Sequence, residues 1–101
     1  MNVTNAIAKV RFGSARAQRV QLHKGKGILV ELICVEPGQK LQVARGEWAY
    51  YVITGTAKVA AAGTETPLPT GQLAAADANE MHALVNDGEQ RLVCLAVGAG
   101  H

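Results

Sequence analysis

The sequence predicts an all-β domain, and three observations support this prediction. Short runs of Val, Ile, Leu and aromatic residues recur about every ten residues along the chain. Turn signals rich in glycine, proline, asparagine and aspartate separate these runs. No segment has the apolar repeat of a long amphipathic helix. Because 101 residues provide one hydrophobic core, we expect a single domain, 1–101, whose eight to ten strands form a sandwich or barrel.

Two runs give the strongest strand signals. Residues 28–35, ILVELICV, are apolar on both faces apart from Glu31, which predicts a strand inside the structure. Residues 48–54, WAYYVIT, alternate between two faces, and Trp48 and Tyr50 share one of them. These two segments are therefore expected to form the centre of the fold.

Weaker runs predict the remaining strands. They are residues 17–23, 40–44, 57–61, 73–76, 81–85 and 91–97. The segment 66–70, TPLPT, contains two prolines and cannot be a central strand. At 36–39, Glu-Pro-Gly-Gln predicts a type II turn, in which Gly38 adopts a positive φ.

Charge is unevenly distributed along the chain. The net charge is +2, which is too small to indicate a nucleic-acid partner. The first 30 residues hold six basic residues and no acid, whereas the remainder holds eight acids and four bases. A transit peptide or a nucleic-acid patch has the same charge pattern, but we interpret the basic part as a solvated sheet face and loops. The expected core spans about 18–97, between a basic segment, 1–17, and a small tail, 98–101.

The sequence gives no indication of a membrane or an oxidising compartment. No apolar stretch reaches the roughly 20 residues needed to span a bilayer, and no secretory signal is recognisable. Cys34 and Cys94 stand within apolar runs and no Cys-x-x-Cys spacing occurs. We therefore predict buried free thiols in a cytoplasmic protein that binds neither membrane nor nucleic acid.

The stretch 71–86 carries a family motif. Ten residues separate Gly71 from His82, and three more separate His82 from Asn86. This spacing resembles the second motif of the small single-domain cupins, and the resemblance extends over about 18–97. Asp77 and Asn79 stand where that motif has proline and glycine, and both are turn formers. The resemblance implies a jelly-roll barrel, the double-stranded β-helix of RmlC-like proteins.

The first cupin motif is matched in its strand and turns, PGQ…YYVITG, but not in its metal ligands. The two histidine positions fall on Ala44 and Gly46, or on Gln42 and Ala44. The glutamate position falls on Trp48. Of the three histidines and one carboxylate that the resemblance implies for a metal site, only His82 is in place.

We therefore expect no metal cofactor. Alanine and glycine have no donor atom, and tryptophan has only an N–H. A transition metal would need further ligands from His23, from His101 or from a partner chain, and no spacing indicates this.

The residues that remain predict a ligand pocket. Trp48, Tyr50 and His82 offer an indole N–H, a hydroxyl and an imidazole in apolar surroundings, and Arg45 is expected at the barrel mouth. Such a pocket suits a small ligand that is partly aromatic or carries a carboxylate. In the alternative interpretation Trp48 fills the barrel and His82 is a core residue bonded to a backbone carbonyl.

Three functions stay open at this point. The first is metal-free binding of a small molecule. The second is a cupin enzyme of the isomerase or dioxygenase type, either metal-dependent or using His82 as an acid–base catalyst, with Tyr50 as its partner. The third is a structural dimer with a filled barrel. A homodimer is expected in any case, through edge strands within 10–22 or 28–35.

Overall fold

The computed structural model describes residues 1–43 and 46–99, in which nine strands form two antiparallel sheets. The strands are β1 (Gln18–Lys24), β2 (Leu29–Val35), β3 (Lys40–Val43), β4 (Trp48–Thr54), β5 (Thr56–Ala61), β6 (Thr64–Pro69), β7 (Leu73–Ala76), β8 (His82–Val85) and β9 (Leu92–Gly98). One sheet has the order β1-β2-β9-β4-β7 and the other the order β3-β8-β5-β6. The predicted all-β jelly roll is confirmed.

A single turn of 3-10 helix, Ile7–Lys9, precedes β1. Within the described ranges, no helix has the length and apolar character needed to cross a membrane.

The main core lies between the two sheets. Side chains alternate along each strand, so every second residue points inward. The five-stranded sheet contributes Ile33, Tyr50 and Val52, and the four-stranded sheet contributes Leu68 and Leu84. All five are buried. The sandwich is therefore filled from both sides, as the alternation in 48–54 predicts.

The structure corrects the expected edge at 28–35. β2 pairs with β1 on one side and with β9 on the other, so this run is an interior strand and offers no free edge. Its double-sided burial follows from that position. β6, which contains both prolines of the segment 66–70, is an edge strand, as a missing N–H requires.

A second apolar cluster covers the outer face of the five-stranded sheet. Leu32, Cys34 and Val93 form its buried part, and Val10 and Phe12 pack on it from the chain before β1. The predicted edge at 10–22 is therefore a strand only from Gln18 onward.

Both cysteines are buried free thiols, which confirms the prediction. Cys34 belongs to the outer cluster and Cys94 to the main core. Burial raises the pKa of the Cys94 thiol to about 12, and Cys34 adds to the shift. Neither thiol is therefore poised as a nucleophile.

Asn86, the last residue of the cupin-like motif, joins three segments. Its buried amide donates to the carbonyl oxygens of Val35 (2.9 Å) and Gln90 (2.8 Å). Its own carbonyl oxygen accepts from the Gly88 N–H. Its backbone carbonyl accepts from Gly38, whose φ of +87° confirms the predicted turn. The motif asparagine therefore holds the ends of β2 and β8 together.

Candidate functional site

Two side chains meet in the interior between the sheets. Tyr50 points inward from β4 and His82 points inward from β8, and the tyrosine Oη lies 2.6 Å from the imidazole Nε2. The other ring nitrogen, Nδ1, lies 3.1 Å from the carbonyl oxygen of Glu80. A carbonyl oxygen only accepts, so Nδ1 carries the proton. In the neutral imidazole Nε2 is then the acceptor, and the Tyr50 hydroxyl donates to it.

Burial fixes this pair firmly. Tyr50 and His82 are each 1% exposed. The two rings meet edge to face at an angle of 66°, with 5.3 Å between their centroids. Burial raises the pKa of the Tyr50 hydroxyl above its usual value, while the positive charge of Arg19 opposes the shift. The tyrosine is therefore a neutral donor across the physiological pH range.

Trp48 continues the ring stack toward one end of the barrel. Its ring lies 6.1 Å from that of Tyr50, nearly parallel. Gly98 makes room for it, because a Cβ at that position would lie 2.7 Å from the indole. The Arg19 guanidinium covers the indole at 5.2 Å from the centroid and also pairs with Glu31 at 2.7 Å. This end of the interior is therefore filled.

The opposite side of the barrel is open. A space of about 480 Å³ lies between β6 and β7, the edge strands of the two sheets. We call it the side cleft; its lining includes Val59, Leu68, Thr66, Ala74, Gln72 and Glu80. Tyr50 and His82 also line it, so the cleft reaches the hydrogen-bonded pair from the surface. A volume of this size is in the range of small-molecule sites.

The four residues predicted to bind a ligand do not all share this space. Tyr50 and His82 line the side cleft, whereas Trp48 lines a separate depression of about 460 Å³ beside Gly98. Trp48 is nevertheless in contact with the group through its stack on Tyr50. Arg45 lies outside the described residues. A binding role for each of the four stays a prediction.

Sequence reasoning missed the polar lining of the cleft. Thr64 and Thr66 face inward from β6, in a segment that was interpreted only through its prolines. Their two-residue spacing is the signal that could have found them. Gln72 and Glu80 stand in turns, for which the sequence indicates no direction.

The likeness to known proteins agrees with the sequence motif. The family model described as "Cupin domain" matches residues 31–98, more than half of the chain. This chain belongs to the cupin family. Similar solved structures include the protein TT1209 from Thermus thermophilus, with 21% identity over 99% of this chain and 98% of that one, at a TM-score of 0.92.

Two further structures show the same cupin architecture. One is an uncharacterised double-stranded beta-helix protein from Klebsiella pneumoniae, with 23% identity over 98% of this chain and 90% of that one, at a TM-score of 0.89. The other is an RmlC-like cupin from Desulfovibrio desulfuricans, with 21% identity, 98% and 96% coverage and a TM-score of 0.85. At these identities the likeness shows the fold alone. No functionally curated protein matches this cupin.

The donor set around His82 does not fit the metal centre that many cupins carry. Both ring nitrogens already have partners, Tyr50 and the Glu80 carbonyl. Gln42, at a histidine position in one alignment, is exposed and pairs with Ala83, so it faces away from the interior. Within 1–43 and 46–99, no three His, Cys, Asp or Glu residues converge on a common point. A divalent transition metal needs several such donors at one point, and the described residues do not supply them.

Proposed function

We propose that this cupin binds a small organic molecule in the side cleft without a metal ion. The observation that carries the proposal is the cleft itself, because it leads from the surface to the buried Tyr50–His82 pair. Val59, Leu68 and Ala74 supply apolar wall, and polar side chains lie at its rim and floor. An apolar pocket with a few convergent polar groups is the usual form of a ligand site.

The filled-barrel alternative is only half supported. Trp48 and Tyr50 do occupy the interior toward the Arg19 end. They leave the β6–β7 side open, with more volume than a fragment-sized ligand needs. An acid–base enzyme has less support, because the Tyr50 hydroxyl proton and the His82 Nδ1 proton are both already donated in these two hydrogen bonds.

The test is a ¹H–¹⁵N spectrum of the whole chain titrated with small neutral alcohols and amides of apolar body. Binding is expected to shift the amide signals of Thr66, Ala74 and their neighbours. Thr66→Trp places a large ring in the cleft and is expected to abolish these shifts. Glu65→Trp, on the other face of the same exposed edge strand, is the matched control and retains them.

Two results contradict the proposal. One is a spectrum in which no probe shifts the signals of the cleft at concentrations of about 10 mM, where fragments of this size normally bind. The other is binding that survives Thr66→Trp unchanged. Equal unfolding midpoints of the two variants show that any loss is local.

We also propose a homodimer for this cupin. β1 and β7 are the edge strands of the larger sheet, and backbone groups at such edges are free to pair. Tyr51 and Leu73, which face each other across β4 and β7, are 43% and 63% exposed. Sedimentation at micromolar concentration is expected to give twice the chain mass of 10.6 kDa, and a monomer would contradict this proposal.

A further inference from the structure

We propose that the side cleft selects a protonated amine with a small apolar body and rejects the carboxylate of the same shape. This inference rests on the proposed binding function and adds the charge and polarity of the ligand. It replaces the sequence-based expectation of a carboxylate-bearing ligand.

The first argument follows the protons of the cleft floor. The Tyr50 hydroxyl donates its one proton to His82 Nε2, and His82 Nδ1–H donates to the Glu80 carbonyl. Neither side chain keeps a proton to offer to a ligand. Tyr50 Oη keeps lone-pair capacity, so the floor accepts hydrogen bonds and does not donate them.

The second argument concerns charge. Among the described residues that line the cleft, Glu80 has the only acidic side chain. One Glu80 carboxylate oxygen accepts a long bond of 3.3 Å from the Asp77 N–H. The other carboxylate oxygen has no hydrogen-bond partner among the described residues. No lysine or arginine among those lining residues offsets the charge.

Among the described residues, Arg19 is a cation inside the barrel, and it is already paired. Arg19 influences Tyr50 electrostatically, but its guanidinium is held by Glu31 through two bonds of 2.9 and 2.7 Å. The pair is neutral as a unit. Among the described residues that line the cleft, Glu80 therefore carries the one acidic side chain, and Thr64, Thr66 and Gln72 contribute uncharged polar groups.

An ammonium group gains from both features. It has N–H donors for Tyr50 Oη and a charge opposite to that of Glu80, while Val59, Leu68 and Ala74 face its apolar body. A carboxylate in the same place meets an acceptor and a like charge. A neutral hydroxyl lies between the two.

Three probes of equal size test this on the whole chain at pH 7: benzylamine, benzyl alcohol and benzoate. Titrations followed by ¹H–¹⁵N spectra are expected to give a dissociation constant of about 1 mM for benzylamine, as for other fragments of this size. We expect binding several-fold weaker for the alcohol and at least about tenfold weaker for benzoate. Glu80→Gln should weaken benzylamine about threefold to tenfold and leave benzyl alcohol unchanged. Glu89→Gln, which removes an exposed charge outside the cleft lining, is the matched control and should change neither.

The outcomes separate the two proposals. Benzoate or benzyl alcohol binding in the cleft as tightly as benzylamine overturns the charge selection and leaves the binding function standing. Shifts outside the cleft only, or none for any probe, overturn the binding function and the selection with it. The comparison of the three probes on the unmodified chain decides the matter even where Glu80→Gln does not fold.

Discussion

Removal of one hydroxyl group tests the geometry of the interior. Tyr50→Phe keeps the ring, so the stack with Trp48 and the packing of the core are preserved. It removes the donor that lies 2.6 Å from His82 Nε2, at a site where both side chains are 1% exposed. A buried acceptor left without a partner costs about 1–3 kcal/mol. We expect a loss of about 2 kcal/mol in the free energy of unfolding, or about 1 kcal/mol where a water molecule enters from the side cleft.

The assay is urea unfolding at pH 7, followed by the fluorescence of Trp48. For a domain of this size, a loss of about 2 kcal/mol corresponds to a fall of roughly 10 °C in melting temperature. Tyr51→Phe is the matched control, because Tyr51 lies on the outer face of the same strand and is 43% exposed. Its substitution should change stability by no more than about 0.5 kcal/mol.

Equal effects of Tyr50→Phe and Tyr51→Phe would refute this reasoning. They would mean that water satisfies the buried acceptor of His82 as well as the Tyr50 hydroxyl does. A Tyr50→Phe variant more stable than the wild type would contradict the reasoning more strongly, because it would show that the hydrogen-bonded pair destabilises the fold.

Three further substitutions give testable predictions. Asn86→Asp replaces the side-chain NH₂ group, which donates to two backbone carbonyls, with a carboxylate oxygen. We expect a loss of about 3 kcal/mol in urea unfolding. Wild-type stability would contradict the structural role of Asn86. Gly98→Ala places a Cβ against the Trp48 ring and should cost about 1–3 kcal/mol with altered tryptophan fluorescence, whereas Gly27→Ala, which meets nothing within 4 Å, should be neutral. The Cys94 thiol ionises in the unfolded chain above about pH 9 but in the folded chain only near pH 12, so its contribution to stability is complete below pH 9 and is lost as pH rises toward 12. Cys94→Ala should therefore have a shallower alkaline fall in unfolding free energy, and identical slopes would refute this.

Periodicity predicted an all-β sandwich or barrel, and the cupin resemblance narrowed this prediction to the jelly roll that the structure has. The alternation in 48–54 placed Trp48 and Tyr50 on the inner face, and β4 has those bounds. The cupin resemblance carried by 71–86 implied an interior position for His82, which lies buried on β8. Such patterns succeed because the inner face of a sheet excludes water from every second residue.

The partner choices of buried polar groups were beyond sequence reasoning. Glu31 was recognised as the one charge in an apolar strand, but nothing in the spacing identified Arg19 as its partner. The meeting of Tyr50 with His82 depends on how two sheets face each other, 32 residues apart in the chain. Such contacts depend on the closure of the sandwich, which periodicity does not encode.

The sequence also did not predict that one side of the barrel is open. A filled barrel and an open pocket have the same residues at Trp48, Tyr50 and His82, and the difference lies in the space between β6 and β7. Alanines in β7 and threonines in β6 leave that space because their side chains are too small to close it. Their effect appears only once both edges are placed side by side.

The central claim is that the His82 imidazole is held by the Tyr50 hydroxyl and the Glu80 carbonyl, with no metal ion on its ring. The most direct measurement is a long-range ¹H–¹⁵N spectrum of the imidazole in freshly purified protein, recorded before and after EDTA. We predict the Nδ1-protonated tautomer, unchanged by the chelator. An Nε2-protonated ring, or signals that move when EDTA is added, would contradict the account.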